Sequence, residues 1–171
     1  MARALVISGS LGAGKTRISW EVRDVLAERG RRVAEIELDA LCQLEPAPPD
    51  DPYNDRLGFA NLAAIWPNYE AAGVQDVVIA RVVEHPGDRE RFARALGGAS
   101  VAIVRLEASS ETRRSRLAAR EPEGHWRDGH LARTDELAAI LATAALDDLV
   151  VDNDARPARQ VAKELLAGIG W

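Results

Sequence analysis

The chain has 171 residues, 47% of them hydrophobic and 29% charged, with a net charge of −5 at pH 7. This length suits one domain with a sizeable core, and the balance is that of an ordinary soluble globular protein. The negative charge argues against non-specific nucleic-acid binding, and no apolar run approaches the roughly 18 residues needed to cross a membrane.

Ala4-Leu5-Val6-Ile7 is a short apolar run suited to a buried parallel strand. It lies so near the amino terminus that no signal peptide is expected. Gly9-Ser10-Leu11-Gly12-Ala13-Gly14-Lys15-Thr16 follows, a G-x-x-x-x-G-K-T phosphate-binding loop, or P-loop. Gly9, Gly12 and Gly14 let the backbone form a nest of N–H donors, Ala13 included, around a nucleotide phosphate. Lys15 is expected to reach the β- and γ-phosphates, and the Thr16 hydroxyl to ligate Mg²⁺. Ile18, Val22, Val25 and Leu26 then share one face of a helix that Gly30 stops. Strand, glycine loop and helix stand in the order that the motif requires.

Arg32 to Leu38 reads as a second strand ending at Asp39. The lone Cys42 can form no internal disulfide, which points to a reducing compartment, so a cytoplasmic location is expected; burial as a small hydrophobe suits it. Glu45 to Asp51 and Pro52 hold four prolines and three acids in eight residues, an exposed loop. Asn54 to Ile65 is helical in character, with Pro67 expected to end or kink the helix near Trp66 and Gly73 closing the region. Phe59, Trp66 and Tyr69 fit either core packing or an acceptor pocket.

Asp76 to Val83 is a third strand, Asp88 to Leu96 a helix, and Ser100 to Leu106 a fourth strand. Ser109 or Ser110 caps the next helix, which carries Arg113, Arg116 and Arg120 on one stripe. Glu121 to Gly129 should break it as a mobile loop, giving a short lid at about 116–129. Arg116 and Arg120 are the lid arginines of choice, with Arg113 and Arg127 behind them; a solvated helix face is the plainer account of the stripe. A helix from Leu131 to Ala145, a fifth strand at Leu149 to Val151, and a last helix from Pro157 to Ala167 complete the chain.

Five strands alternating with helices predict an α/β fold, an open parallel sheet covered on both faces. Ligands of such sheets bind at the carboxyl ends of the strands, so the P-loop, Asp39, Arg81 to Glu84, Ser109 and Asn153 should share one rim. Asp39 could accept a proton from a substrate hydroxyl, hold the Mg²⁺ shell, or merely cap a turn. Glu37, two residues earlier, is a weaker second carboxylate. His85 and His125 have no His or Cys partner at zinc spacing.

With these residues in place the chain resembles, over nearly its whole length, the P-loop kinase group of adenylate, shikimate, gluconate and adenylylsulfate kinases and chloramphenicol phosphotransferase. The resemblance rests on Gly9 to Thr16, Glu37-x-Asp39, Arg116-Leu117-x-x-Arg120 and Val151-Asp152-Asn153. It implies a three-layer α/β/α P-loop NTPase fold with sheet order 2-3-1-4-5, spanning 1–171 as a single domain. It also implies ATP and Mg²⁺ as cofactors, lid arginines on the phosphates, Asn153 beside the adenine, and an acceptor held by the helical region after strand two. Thr16 and Asp39 would be the metal-shell residues, and Lys15, Asp39, Arg116 and Arg120 the catalytic set. One departure is that strand three ends in Arg81-Val82-Val83-Glu84, where many P-loop proteins carry a metal-linked Asp. An ATP-dependent kinase of a small hydroxyl-bearing metabolite or antibiotic is the leading expectation, with no nucleic-acid or membrane partner. A toxin-like nucleotide-sugar kinase and a non-catalytic nucleotide sensor are the alternatives.

Overall fold

The computed structural model describes residues 2–171. Five strands form one all-parallel sheet: β1 (Arg3–Ser8), β2 (Val33–Glu37), β3 (Asp76–Ala80), β4 (Ser100–Glu107) and β5 (Leu149–Asp152). Their order is β2-β3-β1-β4-β5, the predicted one. The helices are α1 (Lys15–Glu28), α2 (Asp55–Ala71), α3 (Asp88–Ala95), α4 (Ser110–Arg120), α5 (His125–Ala144) and α6 (Ala158–Gly168).

The apolar run of β1 is explained by burial on both sides. Ala4 and Val6 face a core built with Leu62, Trp66 and Phe92 from α2 and α3. Leu5 and Ile7 face a second core with Val22 and Leu26 of α1 and Val161 and Leu165 of α6. A central parallel strand covered by helices on each face has no polar side to present, so its alternation disappears. At the amino ends of the strands, the buried Asp76 carboxylate accepts from Arg3 Nε at 2.7 Å and Arg31 Nε at 2.6 Å.

Two expectations are corrected, and one open choice is resolved. First, α2 continues through Pro67 to Ala71 instead of ending near Trp66. Proline removes the donor to the carbonyl four residues back, here that of Ala63, and both residues lie on the exposed face, where water can serve that carbonyl. Second, of the two roles open to Phe59, Trp66 and Tyr69, core packing is the one seen: Phe59 packs on Phe92 with ring centroids 4.8 Å apart, Trp66 is fully buried, and Phe59 and Tyr69 lie partly buried against the same core. Third, the segment Glu121 to Gly129 is not a loop throughout. Only 121–124 leaves helical geometry, and α5 begins at His125, six residues before the expected start. Gly124, with φ 147°, supplies the turn, and Asp128 sits in the first helical turn, where its charge favours the helix dipole.

Candidate active site

The P-loop leaves β1 and enters α1. Gly9, Gly12 and Gly14 have φ values of 143°, 77° and 98°, a backbone that side chains rarely adopt. Space forbids side chains as well. A Cβ on Gly9 would lie 2.8 Å from the Leu106 carbonyl, and one on Gly14 would lie 2.5 Å from Asn153 Nδ2. The loop is therefore pressed against β4 and the turn after β5, which leaves its outer side free. The first turn of α1 adds unpaired N–H groups and the positive end of its dipole.

Lys15 Nζ donates to the carbonyls of Gly9 at 2.9 Å and Ser10 at 3.1 Å. Burial, helped by Arg120 and Arg81, outweighs Asp39 and Glu37 and pushes this ammonium down to about 8. A cation so desolvated is poised to gain from a bound anion. Thr16 Oγ1 donates to Glu37 Oε1 at 3.1 Å. Hydroxyl and carboxylate oxygens side by side are the hard donors that suit magnesium. The residues present thus fit a Mg²⁺-nucleotide, and Glu37 stands nearer to Thr16 chemistry than Asp39 does.

Asp39 lies on a short 3-10 turn, Leu38–Leu41, directly after β2. It is paired with Arg81, which also holds Asp55 at the start of α2. Burial disfavours the Arg81 charge, but Asp39 and Asp55 prevail and keep the guanidinium more firmly protonated than usual. The end of β3 is fixed to β1, because Arg81 N donates to the Ile7 carbonyl at 3.1 Å and Val83 N to Ser8 Oγ at 3.1 Å. Asp51 accepts from the backbone N–H of Asp55 at 2.9 Å and of Arg56 at 3.0 Å, which caps α2 and places Asp55. Cys42 lies beneath this cluster; burial pushes its thiol up, so it is a packing residue and not a nucleophile.

The arginine stripe divides. Arg116 donates to the Asn153 carbonyl at 2.8 Å and reaches the Gly12 and Ala13 carbonyls at 3.4 and 3.3 Å, so it stands at the P-loop. Arg120 is exposed, close enough to Lys15 to depress its proton affinity, and paired with Glu121, which also meets His130 Nδ1 at 2.8 Å. Arg113 is buried and turns inward to the Ala108 carbonyl, Thr134 and Asp135, which removes it from the lid. Arg127 pairs with Glu123 at 3.3 Å.

Two residues brace the loop from behind. Asn153, buried, donates from Nδ2 to the Ala13 carbonyl at 2.7 Å. Thr134, on α5 and fully buried, donates to the Leu11 carbonyl at 2.6 Å and accepts from Arg113 Nε at 3.2 Å. The structure thus gathers Gly9 to Thr16, Asp39, Arg116, Arg120 and Asn153 on one rim. Arg81, Asp55 and Thr134 were not singled out as site residues. Arg81 had a signal in its place at the end of strand three; a threonine inside a helix carries none.

No protein-family model matches the chain, and no curated protein matches it in sequence. Solved structures do match. A gluconokinase from Sinorhizobium meliloti superposes with a TM-score of 0.62 at 22% identity, over 98% of this chain and 91% of that one. A shikimate kinase from Bacteroides thetaiotaomicron gives 0.68 at 16% identity, over 99% of both chains. The tunicamycin resistance protein of Deinococcus radiodurans gives 0.66 at 19% identity, over 99% of this chain and 96% of that one. With the P-loop at the head of α1 and the sheet in the order described, the chain has the fold of the P-loop kinases.

Proposed function

We propose that the protein is an ATP-dependent phosphotransferase acting on a hydroxyl group of a small molecule. The observation that carries this reading is the meeting, on one rim, of a desolvated Lys15, the Thr16–Glu37 oxygen pair and the Asp39 carboxylate. Bound Mg²⁺-ATP would supply the transferable phosphoryl group and neutralise its charge. Lys15, the P-loop N–H groups and Arg116 would hold the phosphates; Thr16 and Glu37, with Asp39 as the alternative carboxylate, would hold the metal. Asp39 would accept the proton of the acceptor hydroxyl as the hydroxyl oxygen bonds to the γ-phosphorus and the bond to the ADP oxygen breaks. Arg120 meets charge that grows in the transition state. Residues 1–171 act as one domain, with the stretch from Arg116 to Gly129 as a lid whose pivot is the bend at 121–124 and whose far end is anchored by Thr134.

A second reading, a nucleotide sensor without turnover, draws on Arg81, which occupies the end of β3 and engages Asp39. The two part in one experiment. ADP release from ATP and Mg²⁺ is followed across a collection of hydroxylated metabolites, with phosphorylated product identified by mass. Acceptor-dependent ADP release supports the phosphotransferase; tight ATP binding with no acceptor-dependent release supports the sensor.

A further inference from the structure

The arginines facing the acceptor side are already engaged. Arg81 is held by Asp39 and Asp55, and Arg133 by Glu84 at 3.4 Å and Glu136 at 2.8 Å. One guanidinium against two carboxylates leaves each cluster with a formal charge of −1. The other cations of the rim, Lys15, Arg116 and Arg120, stand at the P-loop, on the phosphate side. An acceptor bearing a carboxylate or phosphate would have to take a guanidinium from its carboxylates. That would leave an unpaired acid beside the new anion, a repulsive arrangement against the wrong ligand. A cation needs no such exchange, because its partners are the carboxylates themselves. Asp39 and Asp55 remain 57% and 31% exposed on their side chains, so their outer oxygens are within reach of a donor. Tyr53, 71% exposed and near enough to Arg133 to influence it, offers a ring face at the same mouth, a surface that also favours cations.

Resting on the phosphotransfer reading, we propose that the acceptor is a hydroxyl compound carrying a protonated amino group, and that Asp39 and Asp55, which hold Arg81 between them, exclude anionic acceptors. The ammonium lies toward Asp55 and the reacting hydroxyl toward Asp39.

Serinol, glycerol and glycerate share a carbon skeleton and differ in charge; glucosamine, glucose and glucuronate form a second such set. Their binding to protein loaded with ADP and Mg²⁺ is measured by calorimetry near neutral pH, and their phosphorylation by ADP release. In at least one set the amine should bind at least about tenfold more tightly than the neutral member, with the acid weakest. Asp55→Asn should cost the amine about tenfold in affinity and the neutral member less than about twofold. An acid that binds as well as its amine in both sets, the failure of both amines to bind, or equal losses in Asp55→Asn would overturn the proposal. Turnover of an acid with normal use of ATP overturns the acceptor class alone. Failure to bind ATP overturns the phosphotransfer reading, and the proposal with it.

Discussion

The two sides of the rim are held by different forces. On the phosphate side, buried groups grip backbone carbonyls: Thr134, fully buried, holds Leu11, and Asn153 holds Ala13. On the acceptor side, ion pairs join the part-exposed Asp39, on the turn after β2, and Asp55, at the start of α2, to Arg81 at the end of β3. Buried hydrogen bonds to backbone fix a shape, and losing one leaves an orphaned group that costs about 1–3 kcal/mol. Ion pairs to part-exposed carboxylates contribute little to stability, and they position side chains where the buried bonds position backbone. On the proposed function, the part held by backbone bonds is the one that would meet the nucleotide, and the part held by side-chain pairs is the one that would meet the acceptor.

The sharpest way to break this division is to remove the cation at its centre. Lys15→Ala should lower turnover by roughly 10²–10³ and remove most ATP affinity, with the melting temperature close to that of the parent, because the side chain lies at the rim and not in the core. Wild-type turnover in this variant would end the P-loop reading. On the acceptor side, Asp39→Asn keeps the shape and removes the base. Phosphoryl transfer should fall by about 10², with nucleotide affinity nearly unchanged in a titration. A parallel loss of nucleotide affinity would instead assign Asp39 to the phosphate side.

Thr134→Val tests the brace. It keeps the volume and removes both hydrogen bonds, so nucleotide affinity should fall about tenfold along with a drop in melting temperature, and Thr134→Ser should restore both. If only the melting temperature moves, α5 supports the fold without shaping the loop. The smallest effect concerns protons. Lys15 sits at about 8 in the fold against 10.5 ordinarily, so the folded protein sheds this proton first as pH rises. Between those values the unfolded chain binds more protons, and the Lys15 contribution to stability grows with pH. Phosphate reverses the shift, so nucleotide binding near pH 8 should take up a fraction of a proton. Calorimetry in two buffers of different ionisation heat measures that uptake, which should shrink as the pH is lowered well below 8, where Lys15 is already protonated.

How much of this could be read beforehand follows the same division. The strands and the Gly9 to Thr16 loop were legible because periodicity and a spaced motif are local signals, whereas the order of the strands came only with the resemblance to the P-loop kinase group. The passage of α2 through Pro67 was not, since it depends on which face of the helix meets water. The early start of α5 hid behind glycines that usually mark loops. Asp39 was placed at the rim, but its pairing with Arg81, and the closeness of Glu37 to Thr16, are set by the side-by-side register of β2 and β3. Arg113 and Arg116 looked alike on one stripe; the packing of α5 over α4 buries the first and leaves the second at the P-loop. Tertiary contacts decide such matters, and they leave no spacing to find.

The bond from Asn153 to Ala13 joins positions 140 residues apart. The P-loop is therefore synthesised well before this part of its brace. During synthesis the glycine loop stays unbraced until β4 and the turn after β5 have emerged, a case of structure dominated by distant contacts. A nascent chain halted before Asn153 therefore lacks one of the contacts that shape its glycine loop.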